Sequence, residues 1–235
     1  MPATSLYASN GGKPKFNEFI TPVGTAVHSY HDRAQGQTDD KTGKPVLDEN
    51  GIQKADFKIT LAWDKERINS DLRELAEIAA RTRDEAWGPG CTEDQWFRLQ
   101  PFFRDGDNPE HNTKRRAYLF GKYYLNFKAK ASPVIDPVTG KHTGSYMGAP
   151  GLVDEWNNDM LPVDFWAGCD ARVSGIMFGT EYMGKNFLST RLNNIQRAKK
   201  GERLGGGGRP DAKSQFDPLA SGGAKGGFGS LGGIL

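Results

Sequence analysis

Residues 118–130 read Tyr118-Leu-Phe-Gly-Lys-Tyr-Tyr-Leu-Asn-Phe-Lys-Ala-Lys130. Aromatic and aliphatic residues alternate here with polar ones, and side chains on a strand point to opposite faces with period two. The stretch is therefore expected to be a strand. One parity collects Leu119, Tyr123, Leu125, Phe127 and Ala129, with a gap at Gly121, and forms an ordinary core face. The other carries Tyr118, Phe120, Lys122, Tyr124, Asn126, Lys128 and Lys130. Three rings are more than a solvent face needs, and three lysines do not suit a buried one. Rings interleaved with cations match a single nucleic-acid strand, whose bases stack on the rings while its phosphates meet the lysines. The alternative places Phe120 and Tyr124 under a helix, with the lysines snorkelling at its edge.

Just upstream, Lys114, Arg115 and Arg116 extend the positive charge, so residues 114–130 hold six cations and no acid. That local stripe matters because the net charge of the chain is only +2. From Arg197 onward there are seven basic and three acidic residues, which leaves the preceding part near −2. A body close to neutral can hold a polyanion only through such a stripe.

The 235 residues suffice for one well-buried domain or two small ones. Two cysteines, Cys91 and Cys169, are too few for a disulfide framework. No run approaches the ~18 apolar residues of a membrane helix, so the expectation is a soluble, cytoplasmic protein without membrane contacts. No phosphate-binding loop or metal-ligand spacing calls for a cofactor. The four histidines are scattered, and His28 reads as a rim residue.

Residues 1–15 read as a flexible arm and 16–200 as the folded domain. A first strand is expected over 16–30, followed by a polar loop over 35–53. Residues 55–63 alternate cleanly, with Phe57, Ile59, Leu61 and Trp63 inward. Asp64 then caps a helix running to about Ala86 along a stripe of Ile68, Leu72, Leu75 and Ala79. Gly88 and Pro89 end it. In the irregular stretch that follows, Trp96, Phe97, Phe102 and Phe103 are expected anchors. Residues 132–151 read as a second long loop. Residues 163–178 form another strand, with Trp166 and Arg172 on its outer parity and Gly168 as a possible bulge site. Residues 187–197 form the last, with Leu188 and Leu192 inward and Arg191 opposite. From Gly201 to the end, twelve of thirty-five residues are Gly. Too little apolar surface remains there to offset chain entropy, which predicts a disordered, net basic tail.

Five strands with long connections and one inserted α-helix describe a mainly β protein, an OB-fold-like five-stranded Greek-key barrel. In the usual order the helix follows the third strand, whereas here it follows the second. The nucleic-acid-binding candidates are Arg115, Arg116, Tyr118, Phe120, Lys122, Tyr124, Lys128, Lys130, Trp166 and Arg172. An enzymatic alternative is a divalent-metal nuclease or recombinase built on Asp105, Asp107 and Glu110. That cluster lacks the ligand order of a calcium loop and reads better as an acidic turn.

Four segments carry a family resemblance: Phe103-Arg-Asp-Gly-Asp107, Tyr124-Leu-Asn-Phe-Lys-Ala-Lys130, Trp166-Ala-Gly-Cys-Asp-Ala-Arg172 and Gly184-Lys-Asn-Phe-Leu-Ser-Thr-Arg-Leu-Asn-Asn-Ile-Gln196, the last followed by Gly201-Glu-Arg-Leu204. Together they resemble the phage single-stranded DNA-binding proteins, OB-fold replication proteins of tailed phages. The resemblance implies a non-sequence-specific coat on single-stranded DNA in the infected host cell, serving replication and recombination. It also implies a homodimer and recruitment of polymerase or helicase through an acidic C-terminal tail. The tail here departs from that pattern, being net basic and ending Gly-Gly-Ile-Leu.

Overall fold

The computed structural model describes residues 17–39, 42–67, 72–89, 102–182 and 184–204. In chain order its elements are β1 (Glu18–Ile20), β2 (Gly24–Gly36), β3 (Ala55–Asp64), α1 (Arg73–Trp87), β4 (Arg104–Asp105), β5 (Lys122–Ile135), β6 (His142–Met147), β7 (Gly151–Val153), β8 (Asp170–Tyr182) and β9 (Lys185–Lys199). Five strands close on themselves: β2 pairs β3, β3 pairs β5, β5 pairs β9, β9 pairs β8, and β8 returns to β2. All of these contacts are antiparallel except β5 with β9. One meander, one parallel step and one hairpin make the expected Greek-key barrel of the OB type.

The core follows from strand alternation. Phe57, Ile59, Leu61 and Trp63 of β3 point inward, as do Leu125, Phe127, Ala129 and Ala131 of β5. Cys169 lies just before β8, whose Ala171, Val173 and Met177 complete that side, and β9 adds Leu192 and Ile195. Helix α1 packs Leu75, Ile78 and Ala79 into the same cluster. No helix among the described residues is long and apolar enough to cross a membrane.

Several boundaries differ from the sequence reading. The central strand starts at Lys122, because Ala117–Leu119 is a 3-10 turn and Gly121 takes φ +70, where side chains with a Cβ are strained. Tyr118 and Phe120 therefore stand before the strand, and alternation does not apply to them. Asp64 ends β3 and bonds the Lys122 ammonium at 2.8 Å; a 3-10 turn, Lys65–Arg67, follows it, and α1 begins at Arg73. Ile68 lies outside the described residues, as do Trp96, Phe97, the 1–15 arm and the tail from Gly205. The expected loop over 132–151 is a hairpin of β5 and β6, its turn held by Asp136, which accepts from the amides of Val138 and Thr139. Val163, expected inward, is exposed in a 3-10 turn, because β8 starts only at Asp170.

Residues 201–204 still lie against the barrel. The Trp166 indole donates to the Gly201 carbonyl at 2.9 Å, and the Leu204 amide donates to Ala167 at 2.8 Å.

Phe127 is fully buried and stacks at a tilt on Phe19, with 5.8 Å between ring centres. Phe127→Ala is expected to cost about 3–5 kcal/mol of stability, the range for truncating a core aromatic. Urea unfolding measures it, and a loss below about 1 kcal/mol would place Phe127 outside the core.

Candidate nucleic-acid interface

The outer face of the β2–β3–β5–β9 wall is set by register. Tyr30 lies opposite Lys58, Lys58 opposite Lys128, and Lys128 opposite Arg191, so one ring and three cations form a row across four strands. At about 4.8 Å per strand the row is roughly 15 Å long. Beside it runs a second row of His28, Thr60 and Asn126, in which the Thr60 hydroxyl donates to Asn126 Oδ1 at 2.7 Å. His28 and Tyr30 meet edge to face at 4.7 Å. Lys130 continues the exposed cationic edge of β5.

The next row is not open. Val27, Ala62, Leu119 and Tyr124 form a small buried cluster outside the barrel, covered by the segment 104–119, with Tyr118 and Leu204 packed against it. Tyr124 is 5 % exposed, and its hydroxyl donates to the His111 carbonyl at 2.6 Å. Its expected role as a stacking platform is thereby corrected: the ring fills a core. The cover over it is the 104–119 segment and not helix α1.

That segment is knit by buried Asn112, whose amide donates to the Gly106 and Arg116 carbonyls at 2.9 and 3.1 Å and accepts from the Arg116 amide at 2.9 Å. Gly106 permits the crossing, since a Cβ there would sit 1.9 Å from the Leu119 carbonyl oxygen. Asp105 and Asp107 both bind the Lys65 ammonium, at 2.6 and 2.7 Å. The hydrogen bond to Asp105, then that to Asp107, raises the Lys65 pKa. The same bonds lower both carboxyls, Asp107 being helped next by the Gly121 amide. A lysine thus stands where the nuclease alternative needs a metal ion, and the Asp-Gly-Asp motif serves to fasten a loop. Among the described residues no three His, Cys, Asp or Glu side chains are grouped to hold a metal.

Between the segment and the sheet lies a cleft of about 190 Å³ whose rim includes His28, Asn126, Lys114, Arg116 and Tyr118. The imidazole of His28 is held below its ordinary pKa first by burial and then by the charges of Arg116, Lys58 and Lys114.

The structure brings Arg116 and Tyr118 to the cleft, puts Tyr124 in its floor, and sets Lys128 and Lys130 on the adjoining edge. Others stand apart. Phe120 is 45 % exposed at the turn before β5, Arg115 is exposed at φ +48, and Lys122 is engaged by Asp64. Trp166 is half-buried, with the Arg203 guanidinium 4.6 Å and the Lys200 ammonium 6.0 Å from its ring centre. Arg172 donates to Gln196 at 2.6 Å on the β8–β9 face. Sequence reading gave no site role to His28, Lys58, Asn126, Arg191 or Arg203. The shared parity of His28 with Tyr30, and of Lys58 with Thr60, is the signal that could have found the first two.

Fold and face together define an OB barrel with a cationic, ring-bearing groove on the side of its meander, the arrangement of oligonucleotide-binding barrels. The profile of the family described as Enterobacter phage Enc34, ssDNA-binding protein, matches residues 44–225, and the chain belongs to that family. Among solved structures, the single-stranded DNA-binding protein of bacteriophage Enc34 in complex with ssDNA is similar at a TM-score of 0.53 and 14 % identity, covering 84 % of this chain and 100 % of that one. A second structure of the bacteriophage Enc34 single-stranded DNA-binding protein aligns at a TM-score of 0.50 and 14 % identity, covering 88 % of this chain and 97 % of that one. No curated protein sequence matches the chain at a significant level.

Asn112→Ala is expected to leave the Gly106 and Arg116 carbonyls and the Arg116 amide short of a partner, at about 1–3 kcal/mol of stability. Thermal melting measures the loss. Hydrogen exchange should quicken over residues 104–119 before it quickens in β3 or β5; uniform quickening would show that Asn112 does not organise this segment by itself.

Proposed function

We propose that the chain binds single-stranded DNA without sequence preference, coating and protecting it during phage replication and recombination in the cytoplasm of the infected host. The observation that carries this reading is the row Tyr30, Lys58, Lys128 and Arg191, which lies beside a cleft rimmed by His28, Lys114, Arg116 and Tyr118. Rings offer stacking to any base, and the cations neutralise phosphates, a combination that favours single strands over duplex and is indifferent to sequence. Membership in the phage family supports the same reading.

The protein acts as a binder, with no chemical step: its acids at 105 and 107 are both engaged by the Lys65 ammonium. Arg116, Tyr118, Lys128 and Lys130 are the sequence candidates that best fit a strand lying along this groove. Phe120, Arg115, Trp166 with Arg203, and Arg172 are outlying contacts for a longer strand. A homodimer and recruited replication proteins, polymerase or helicase, are the partners that suit such a coat. The basic tail adds weak phosphate contacts.

Competition among single-stranded DNA, duplex DNA and RNA tests the reading directly; equal affinity for duplex would overturn it. Tyr30→Ala and Tyr118→Ala are each expected to cost about 1–3 kcal/mol of binding, the worth of a stacked base. Lys58→Ala, Lys128→Ala and Arg191→Ala should each flatten the plot of log affinity against log salt by about 0.7 unit, the value for one phosphate contact on a single strand. Fluorescence titration over a salt series measures both, and unchanged binding in all five variants would move the site to another face.

A further inference from the structure

The cleft differs from the open row beside it in being walled, and its wall is chemically one-sided. From the 104–119 segment Arg104, Lys114 and Arg116 line it, and no carboxylate is among the described residues that do. His111 also lines it, but its Nδ1 is already taken as acceptor by the Asp105 amide at 2.9 Å. His28 has no such partner: neither ring nitrogen hydrogen-bonds another described residue, and its ring rests edge-on against Tyr30. Lys58 approaches it from β3, and β5 contributes the uncharged Asn126, whose Oδ1 is taken by the Thr60 hydroxyl. Asn126 lines the cleft, and its amide nitrogen donates to no other described residue.

We propose that this cleft is a discrete subsite for one nucleotide, its phosphate held by Arg116, Lys114 and a His28 that takes up a proton as the strand arrives. The inference rests on the single-stranded DNA reading and adds to it a fixed nucleotide position and a linked proton. Without ligand, burial and three neighbouring cations keep the imidazole neutral near pH 7. A phosphate entering among those cations cancels their field at His28 and supplies an acceptor for the ring N–H. Both changes favour the imidazolium, which then adds a charge-assisted hydrogen bond. The base of the same nucleotide meets Tyr118 and the Asn126 amide.

Linkage sets the sign. The bound state holds more protons than the free state between the free and bound pKa of His28, so affinity falls as pH rises through that interval, by up to about tenfold per pH unit. Outside the interval this dependence vanishes. Calorimetric titration of the full chain with an oligothymidylate, in buffers of different ionisation enthalpy between about pH 5 and 8, reads the proton directly. The expected result is uptake of up to one proton per bound strand in the unaltered chain and none assigned to this site in His28→Gln, whose affinity loses its pH dependence. The ring resonances of His28, followed by NMR in the unaltered chain, should titrate at higher pH with the oligonucleotide present, a readout independent of how the variant folds. Binding with an unshifted His28 titration, or uptake that persists undiminished in His28→Gln, overturns the subsite alone. Failure to bind the oligonucleotide at any pH overturns the single-stranded DNA reading and the subsite with it.

Discussion

The ladder between β3 and β5 is the constraint on which the rest depends. It runs unbroken from Ala55 opposite Ala131 to Asp64 opposite Lys122. Because side chains alternate faces, a one-residue slip of β3 would send Phe57, Ile59 and Leu61 outward and bring Lys58 into the barrel, and a slip of β5 would do the same with Leu125 and Phe127 against Lys128 and Lys130. Burying those ammonium groups without partners would cost far more than any gain in pairing. The register that keeps the core apolar is therefore the same register that lines up cations on the outside. The cationic outer face is a by-product of a packing requirement, since the two faces of one ladder are decided together.

The second determinant is the segment 104–119, which folds back over the outer face. Its one strand is the two-residue β4, and the rest is held by substitutes: Asn112 as a polar knot, Lys65 as a clamp on Asp105 and Asp107, and Gly106 as the point of closest crossing. Its effect is to split the face in two. Where it lies down, Tyr124, Val27, Ala62 and Leu119 become a small outer core. Where it stops, a walled cleft opens beside the flat row of Tyr30, Lys58, Lys128 and Arg191. One loop thus turns a uniform sheet surface into a groove with an enclosed end.

The C-terminal part of the domain contributes to the same side. Leu204 packs on the outer cluster, and Arg203 stacks over Trp166. The motif 192–196 falls on β9 where its pairing with β8 shifts register, so that Leu192 and Ile195 both reach the core despite their odd spacing. Gln196 then ties Arg172 to the 154–157 turn. Two of the four segments that carry the family resemblance, 103–107 and 184–196, are thus accounted for by fastening and register.

Read alone, the chain determined that it would be mostly β, because 55–63 and 122–130 alternate so strictly that only a half-buried strand satisfies both sets of residues. It also determined the barrel class, the insertion of the helix after the second barrel strand, and the concentration of cations and rings around the central strand. What it could not determine is which rings face water. Alternation is a local rule that holds only while the backbone stays extended, and Gly121 at positive φ breaks it, so Tyr118 and Phe120 leave the parity that grouped them with Tyr124. Burial of Tyr124, and the meeting of His28, Lys58, Asn126 and Arg191, depend on contacts between segments up to about 160 residues apart. No period along the chain encodes such meetings. They come from strand pairing, barrel closure and one loop that covers part of the face, which only the tertiary structure decides.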